Sequence, residues 1–482
     1  MNNVLVDLVI IGAGPAGMSA ALEAATRGLS VVVLDEQARP GGQIYRNVDH
    51  ADAETRQVVG SDYDAGLQLV QAFLASGVRY YPSVAVWQVT DERRVHFLLD
   101  GEARVLQGRQ LLIATGAIER PMPIPGWTLP GVMTAGAGQI LLKSAALLPR
   151  HPVVLAGCGP LLYLLAAQYL RAGVQIAALV DTSERYAVFS LLRSLRAALP
   201  GWRDLLKGAS LLLTLKRAGV RHFWAARQLR VTGEGCATGL SFEADGDLQH
   251  VPAILVLLHQ GVVPNTHITR SLRAGHDWNE QQLCWVVRRD EFGESTLPGI
   301  FVAGDVGSIG GAMVAQSQGR IAVLAIVRRL QKLDQAQFSR SVGPWLKRLR
   351  AQQAARPLID ALYRPHGQNR IPADETIVCR CEEVSAGAIR GYVDAGCLGP
   401  NQTKAFGRCG MGPCQGRLCG LSVTEIIAEH RRVPPERVGS YRIRPPLKPI
   451  TLAQLAAERE LDLSLPFAPQ TTLQRTSQRT PS

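Results

Sequence analysis

The sequence has little that would direct the chain into a membrane or out of the cell. Charged residues make up 19% of its 482 positions, and the longest apolar stretch, residues 152–180, is interrupted by several glycines and by Arg171. Such interruptions fit a strand, turn, helix and strand better than a membrane span. No positively charged segment precedes an apolar one at the N-terminus, so we expect no secretory signal. These absences predict a cytoplasmic protein, with a peripheral position at the inner membrane left open.

Nucleic-acid-binding motifs are also missing, although the chain is basic. It carries 52 lysines and arginines against 40 acidic residues, which gives a net charge of +12. The basic residues are scattered, so a solvated surface explains them better than a nucleic-acid interface. Basic amphipathic helices predicted over residues 186–219 leave open a docking surface for a partner or a membrane.

What the sequence does contain begins with a dinucleotide-binding fingerprint. An apolar strand over 4–11 is followed by a glycine-rich turn, a helix over 18–27 and a second strand over 30–34 that ends in two acidic residues. In this arrangement the glycines let the backbone approach a pyrophosphate, the helix N-terminus faces the phosphates, and the acid binds ribose hydroxyls. We predict that Asp35 is that acid, with Glu36 as the alternative. The candidate cofactor-binding residues of the turn are Gly12, Gly14, Pro15, Ala16 and Gly17.

Three later stretches favour FAD over NAD, because they resemble motifs of flavoproteins with two dinucleotide-binding domains. Residues 39–43 resemble the loop that lies against the flavin, and residues 112–117 resemble the strand and turn that cross back over the FAD. Residues 299–305 resemble the second FAD motif, whose aspartate binds the ribityl or phosphate region. Because four such motifs occur in this order, FAD binding explains them better than the alternative that each glycine merely marks a turn. The resemblance adds Gly42, Gln43, Thr115, Gly116, Gly304 and Asp305 to the candidate residues.

A second Rossmann-like unit is predicted after residue 150, with a defect. A strand over 153–156, a glycine turn, a helix and a strand lead to Asp181, but Leu162 replaces the third glycine of the fingerprint. That side chain should push the helix from the strand and crowd a pyrophosphate. Gly157, Gly159 and Asp181 are therefore candidates for a nucleotide such as NAD or ATP, or for a scaffold that binds none.

Cysteine is scarce before residue 379. Cys158, Cys236 and Cys284 occur there, and no two of them have Cys-x-x-Cys or Cys-x4-Cys spacing. The sequence therefore excludes a disulfide reductase that uses a dithiol next to its flavin.

Six of the nine cysteines lie between residues 379 and 419. Cys379, Cys381, Cys414 and Cys419 follow the pattern C-x-C-x32-C-x4-C and could hold a 2Fe-2S cluster, in which each iron takes two protein thiolates. Structural zinc is the alternative, but its usual spacers of two to four residues fit the Cys-x-Cys start poorly. Cys409 and Cys414 form another C-x4-C pair, so the choice between Cys409 and Cys419 stays open.

The cysteine segment resembles the small helical 2Fe-2S domain of bacterioferritin-associated-ferredoxin-like type. Cys419 is preferred to Cys409 because it gives the longer first spacing of that domain. Residues 35–46, 157–162, 379–383 and 410–416 together resemble the flavoprotein subunits of opine oxidases and hydrogen cyanide synthase. They also resemble the alpha subunit of dye-linked proline and hydroxyproline dehydrogenases.

This resemblance implies a hetero-oligomer. An amine-oxidase-like flavoprotein subunit would oxidise the C–N bond of an amino acid or opine, and this chain, often with a small ferredoxin-like subunit, would pass electrons towards a quinone-type acceptor. It leaves open whether FMN is also held at a subunit boundary.

We therefore expect an α/β fold: a flavoprotein with two Rossmann-like dinucleotide-binding domains and a small helical C-terminal iron-sulfur domain. The predicted boundaries are 1–125 plus 265–345 for FAD, 126–264 for the second Rossmann-like domain, 346–369 for a linker, 370–435 for the 2Fe-2S domain and 436–482 for an extension that becomes disorder-prone at about 467.

The leading functional prediction is an electron-transfer subunit of an amino-acid-type or opine-type dehydrogenase. No catalytic base can be identified in the sequence, which agrees with substrate oxidation on another chain. The alternatives are a stand-alone NADH-dependent FAD oxidoreductase and a non-catalytic metal-handling protein.

Overall fold

The computed structural model of the protein describes residues 5–184 and 202–463. Of the basic helices predicted over 186–219, residues 202–217 form one helix, whereas 186–201 lie outside the described residues. The disorder predicted from about residue 467 also lies outside them.

Strands are distributed along the whole described chain. In chain order they are β1 (Val6–Ile11), β2 (Val31–Leu34), β3 (Arg79–Tyr81), β4 (Ala85–Val89), β5 (Arg94–Leu99), β6 (Glu102–Ile113), β7 (Ala117–Glu119), β8 (Val132–Thr134), β9 (Val153–Cys158), β10 (Ile176–Asp181), β11 (His222–Phe223), β12 (Arg227–Thr232), β13 (Gly239–Ala244), β14 (Asp247–Pro252), β15 (Val256–Gln260), β16 (Val262–Pro264), β17 (His276–Asn279), β18 (Cys284–Val287), β19 (Ile300–Val302), β20 (Ile377–Cys379), β21 (Val384–Ser385) and β22 (Arg459–Glu460).

Helices alternate with these strands and dominate the C-terminal part. They are α1 (Pro15–Thr26), α2 (Ala53–Val59), α3 (Ser61–Asp64), α4 (Gly66–Ala75), α5 (Ala135–Ala145), α6 (Pro160–Arg171), α7 (Trp202–Arg217), α8 (His267–Ser271), α9 (Ala312–Arg329), α10 (Gln335–Gln353), α11 (Arg356–Leu362), α12 (Gly367–Arg370), α13 (Ala386–Asp394), α14 (Pro400–Gly407), α15 (Gly420–Arg431), α16 (Pro435–Val438) and α17 (Leu452–Ala456). Among the described residues, none of these helices is long and apolar enough to cross a bilayer.

The first sheet is built around the long strand β6. Its C-terminal half runs parallel to β1 and β19, and β1 continues through β2 to β3, as in a Rossmann fold. Its N-terminal half pairs antiparallel with β5, which pairs with β4. Ile11 aligns with both Leu34 and Ile113, and Ile113 with Val302, so four strands end in one row.

The second sheet is parallel, with the order β11-β10-β9-β15-β8. An antiparallel set, β12-β13-β14, extends this unit. The chain crosses between the two units where β7 pairs with β16, so the first unit is discontinuous in sequence. Leu8 and Ile10 of the first sheet share one apolar core with Leu155, Leu165 and other residues of the second unit.

The C-terminal part is helical and packs on the first sheet rather than standing apart. Val9 and Ile113 share a core with Cys379, Cys419 and Ile426. Strand β22 pairs in parallel with Arg104 and Val105 of β6, so the C-terminal extension joins the first sheet. The predicted fold class, two Rossmann-like units and a small helical C-terminal region, is confirmed.

Candidate functional site

The first glycine turn joins β1 to α1 through very close backbone contacts. Gly12 has φ +105°, and a Cβ there would lie 2.5 Å from the carbonyl oxygen of Ala114 at the end of β6. Gly14 faces open space, with only the Cα of Gly42 within 4 Å of such an atom, at 3.8 Å. A narrow gap free of side chains therefore lies beside the N-terminus of α1, where a pyrophosphate fits.

The two candidate acids point in different directions. Asp35 is buried, and its carboxylate accepts hydrogen bonds from the N–H of Ala13 (2.6 Å) and of Gln37 (2.8 Å). Burial raises the pKa of Asp35 to about 6, although these two N–H groups act in the opposite direction. Glu36 is exposed and pairs with Lys448 of the C-terminal extension at 2.5 Å. Asp35 is therefore the acid that faces the glycine turn.

The later predicted motifs meet at the same edge of the first sheet. Gly304 follows β19, and a Cβ there would lie 3.0 Å from the Cβ of Ala16. The Asp305 carboxylate accepts hydrogen bonds from the N–H groups of Gly310 and Gly311, at 2.9 and 3.0 Å, just before α9. The Thr115–Gly116 turn is fixed by Asn265, whose N–H donates to the Gly116 carbonyl at 3.0 Å. These contacts assemble a cradle whose donors and open gap fit FAD.

Residues 39–46 complete one wall of that cradle. The carbonyls of Gln43 and Ile44 accept hydrogen bonds from the Lys143 ammonium group at 3.2 and 3.0 Å. Lys143 lies on α5 of the second unit and is almost fully buried, which lowers its pKa to about 7. A second-unit lysine thus holds the loop that the sequence predicts to lie against a flavin.

The second glycine turn is filled by the chain's own side chains. Gly159 has φ +120°, and a Cβ there would lie 3.0 Å from Nε2 of His259. The other ring nitrogen, Nδ1, lies 2.6 Å from the Glu119 carboxylate. Cys158 is buried, with its Sγ 3.6 Å from the carbonyl of Tyr363. Leu162 is fully buried in the shared core, which is its structural role here.

Asp181 is likewise satisfied internally. It is fully buried, one carboxylate oxygen accepts from the N–H of Ser183 at 2.7 Å, and the other accepts from the Tyr163 hydroxyl. With no exposed surface, and with the Tyr163 hydroxyl on one oxygen, Asp181 is closed to a ribose hydroxyl in this structure. Gly157, Gly159 and Asp181 are brought together, but they offer a nucleotide no exposed carboxylate.

Five cysteines converge in the C-terminal region. The Sγ atoms of Cys379, Cys409 and Cys419 all lie within 4.8 Å of one another, and all three side chains are buried. Cys381, which is exposed, and the half-buried Cys414 contact each other beside this group. Such an all-sulfur donor set fits a 2Fe-2S cluster, which needs four thiolates.

The electrostatics of these thiols favour a shared negative charge. Hydrogen bonds from Cys409 and Cys419 lower the pKa of Cys379 to about 2. The same contacts raise the pKa of Cys409 to about 12 and that of Cys419 well above its ordinary value. The N–H of Gly410 also favours the Cys379 thiolate, as expected of a glycine-rich loop around a metal centre.

The place of Cys409 is the point on which sequence and structure differ most. The spacing favours Cys419 as the fourth ligand, yet the Sγ atoms of both Cys409 and Cys419 lie within 4.8 Å of the Cys379 Sγ. The sequence signal that includes Cys409 is its C-x4-C spacing from Cys414. The structure thus supplies five candidate thiols for four ligand positions.

Tyr441 is a contributor that sequence reasoning missed. Its hydroxyl lies 3.0 Å from the Cys409 carbonyl oxygen and 3.4 Å from the Cys409 Sγ, and its ring packs against Gly410, Gly416 and Gly420. It comes from the C-terminal extension, more than twenty residues after the last cysteine, so no local pattern points to it.

Comparison with known families gives two matches that cover most of the chain. Residues 6–319 match the family model described as pyridine nucleotide-disulphide oxidoreductase. Residues 373–459 match the model described as sarcosine oxidase A3 domain, and this range contains all five converging cysteines.

Individual relatives extend over nearly the full length. The chain is 44% identical to the opine oxidase A subunit of Rhizobium meliloti, over 93% of this chain and 87% of that protein. It is 31% identical to the HcnB subunit of hydrogen cyanide synthase from Pseudomonas aeruginosa, over 92% and 96%. The structure is similar in fold to L-proline dehydrogenase from P. horikoshii, with a TM-score of 0.67 and 17% identity over 94% of this chain and 79% of that one.

Proposed function

Since the chain belongs to the pyridine nucleotide-disulphide oxidoreductase family and to that of the opine oxidase A subunits, we propose that it is an electron-transfer subunit. The enzyme it serves would be a hetero-oligomeric dehydrogenase or oxidase that acts on the C–N bond of an amino acid or opine. Electrons would leave it for a quinone-type acceptor. The relatives are named as subunits of larger enzymes, which supports a partner chain.

The single observation that carries this proposal is that one packed chain contains both a cradle that fits FAD and the five converging cysteines. The glycine turn, Asp35, the Thr115–Gly116 turn and Asp305 would hold FAD at the edge of the first sheet. When bound, FAD supplies two-electron chemistry together with the ability to release electrons singly. The core shared by Ile113, Cys379 and Cys419 fixes the thiols relative to that sheet.

Four of the five converging cysteines would hold a 2Fe-2S cluster. Cys379, Cys381 and Cys414 are three of its ligands in this proposal, and the fourth is Cys419 or Cys409. When bound, such a cluster supplies one-electron transfer. The chain's own contribution is to bury three sulfurs close together and to aim the N–H groups of Gly410 and Glu382 at Cys379, which favours the thiolate of that residue.

Disulfide reduction, which the family description mentions, finds no support in this chain. Four cysteines lie outside the five that converge, and no disulfide or close pair joins any two of them: Cys158, Cys236, Cys284 and Cys397. Burial raises the pKa of Cys158 to about 12, so it stays a thiol and is a poor nucleophile.

Substrate oxidation is proposed to occur on a partner. That partner would be an amine-oxidase-like flavoprotein. The complex would also contain a small ferredoxin-like protein and an FMN at the boundary between chains. A cytoplasmic location belongs to the same proposal, because none of the nine cysteines, all within the described residues, forms a disulfide, as expected in a reducing compartment.

The test is co-purification followed by anaerobic reduction with substrate. The chain is expressed with its neighbouring subunits, isolated as a complex and mixed with candidate amino acids or opines. We expect the flavin and the cluster of this chain to be reduced only when the partner is present. Reduction of the isolated chain by substrate alone would contradict a purely electron-transferring role.

A further inference from the structure

A cavity lies between the first Rossmann unit and the cysteine region and borders both candidate sites, since Asn265, which holds the Thr115–Gly116 turn, and Tyr441, which contacts Cys409, line it. Its volume is about 70 Å³, several times what one water molecule needs. One side is formed by residues 263–267, Arg270 and Trp285, and the other by Arg417 and residues 440–441. None of the residues predicted to bind FAD or a metal lines it within the part of the chain that the structure describes.

The cavity carries positive charge without a matching carboxylate. Arg270 and Arg417 both line it, and no aspartate or glutamate among the described residues does so. Arg270 donates to Thr266 Oγ1 at 3.0 Å and to Ser440 Oγ, and its guanidinium lies 5.2 Å from the centre of the Trp285 ring. Within the described part of the chain, Arg417 donates one long hydrogen bond, of 3.5 Å, to the Leu447 carbonyl. The proposed cluster would place negative charge beside Arg417, but it leaves Arg270 without a carboxylate. Buried charges in proteins are normally paired, so a counter-charge for Arg270 is expected here.

Three of the residues that line this space each carry a hydrogen-bonding atom without a partner. Trp285 Nε1, Arg417 Nε and His267 Nδ1 are buried and have no hydrogen-bond partner. The first two can only donate, so they require an acceptor that the protein does not provide. Three such atoms around one cavity are unusual, because buried polar groups are almost always paired.

A histidine that lines the cavity lies in the field of the same two arginines. His267 is 8% exposed, and its pKa is lowered to about 3 by burial and by the positive charges of Arg417, Arg270 and Lys448. Lys448 is paired with Glu36, whereas the two arginines are not paired with any described carboxylate. The potential in the cavity is therefore positive.

We propose that this cavity binds a phosphate-type oxyanion, with Arg270, Arg417 and Trp285 as its donors. A tetrahedral oxyanion offers several strong acceptors to guanidinium and indole N–H groups at once, and charge-assisted bonds of this kind are the strongest available. The anion is either free phosphate or the phosphate group of a larger molecule.

Binding would also link two parts of the fold. Arg270 belongs to α8 of the first unit, whereas Arg417 lies in the loop between Cys414 and Cys419. An anion held by both should resist their separation and raise the unfolding temperature in proportion to its occupancy. This inference goes beyond the proposed function and does not depend on a partner chain.

The first experiment measures thermal unfolding of the holoprotein, purified without phosphate or sulfate. We expect inorganic phosphate to raise the unfolding temperature in a saturable way that sodium chloride at equal ionic strength does not reproduce. Trp285→Phe should weaken the apparent affinity by about tenfold through loss of one bond to a charged acceptor, and R270Q/R417Q should abolish the effect. Arg288→Gln is the control, because Arg288 is exposed and paired with Asp277.

The second experiment identifies the source of the anion. Phosphorus-31 NMR of an acid extract separates inorganic phosphate, a phosphate monoester and the pyrophosphate of FAD. If the bound anion is a free ion, the extract should contain inorganic phosphate. If it belongs to a larger molecule, the extract should contain a phosphate monoester. The proposal is overturned if phosphate and chloride act alike, or if the phosphate response persists in Trp285→Phe and in the arginine variant. Should the arginine variant not fold, the Trp285→Phe titration alone decides.

Discussion

At the scale of single residues, the buried sulfurs of Cys379, Cys409 and Cys419 concentrate the most reactive chemistry in the molecule. Each lies within 4.8 Å of the other two, a spacing at which all three can be thiolates only if a cation lies between them. Cys381 and Cys414 sit beside them and contact each other. Four of these five thiolates are enough for a 2Fe-2S cluster, so one is dispensable.

The dispensable thiol can be identified by serine substitution. We expect Cys379→Ser, Cys381→Ser and Cys414→Ser each to remove the visible absorption of the cluster. Of Cys409→Ser and Cys419→Ser, one should remove it and the other should leave it, and the sequence analysis predicts that Cys419 is the ligand. Cys236→Ser is the control, because Cys236 is exposed and distant in sequence. Loss with both or with neither of the two disputed variants would contradict a four-thiolate cluster.

Lys143 is the residue at which charge and packing conflict most clearly. Its ammonium group donates to two carbonyls of the 39–46 loop and to Gln139, yet burial lowers its pKa from 10.5 to about 7. In the unfolded chain the lysine stays protonated up to its ordinary pKa. The folded state is therefore penalised below pH 7, and the penalty is relieved as the pH rises from 7 towards 10.5.

This conflict predicts a pH-dependent effect of Lys143→Met. The substitution leaves the Gln43 and Ile44 carbonyls without their donor, which costs about 1–3 kcal/mol, but it also removes the charge penalty. The unfolding temperature of the native chain relative to the variant should therefore rise between about pH 7 and about pH 9.5. Lys347→Met, at an exposed position of α10, should show no such trend. A difference that stays constant with pH would show that Lys143 is charged throughout.

At the scale of secondary-structure elements, the packing of α9 on α1 holds the first glycine turn in place. Gly319 on α9 lies directly against the carbonyl of Ala16, so a Cβ at Gly319 would overlap that oxygen. The turn cannot yield easily, since Gly12 is itself in contact with the end of β6. The shape of the proposed FAD cradle therefore depends on a residue fifteen positions beyond Gly304 in the sequence.

A single methyl group should test this dependence. Gly319→Ala is expected to destabilise the protein by about 1–3 kcal/mol through overpacking and to lower the FAD content of the purified chain. Gly343→Ala in α10 is the matched control, because a Cβ there meets nothing within 4 Å. That variant should be neutral or stabilising by up to about 1 kcal/mol. Equal FAD content and unfolding temperature in both variants would contradict the argument.

Elements with a local signal could be predicted from the sequence. The β1 strand, the glycine turn and α1 follow from an apolar run, three glycines and Pro15 at the first helical position. Contacts made across the fold could not be predicted. Tyr163 bonded to Asp181, Tyr441 beside Cys409 and β22 paired with β6 each depend on residues far apart in sequence. No pattern of residue spacing in the sequence predicts these three contacts.

At the scale of the whole molecule, three parts share two apolar cores. One core joins the two Rossmann units, and the other joins the first sheet to the cysteine region. The predicted linker over 346–369 is largely helical, since α10 runs across its start and α11 and α12 follow. The shared cores bring the two candidate cofactor sites into one packed molecule.

The closed second glycine turn predicts a negative result with NADH. Because Asp181 is bonded to Tyr163 and Ser183, NADH should not bleach the flavin of the anaerobic purified chain. Tyr163→Phe frees one carboxylate oxygen but leaves His259 over Gly159, so it should not create NADH activity either. Rapid bleaching of the native chain by NADH would support the stand-alone oxidoreductase instead.

Cofactor analysis of protein purified without oxygen decides whether one chain holds both FAD and a 2Fe-2S cluster. We expect one FAD together with about two iron atoms and about two acid-labile sulfides per chain. We also expect an electron paramagnetic resonance signal of a reduced 2Fe-2S cluster after dithionite treatment. Zinc bound in place of iron, or a preparation without flavin, iron and sulfide, would contradict this expectation.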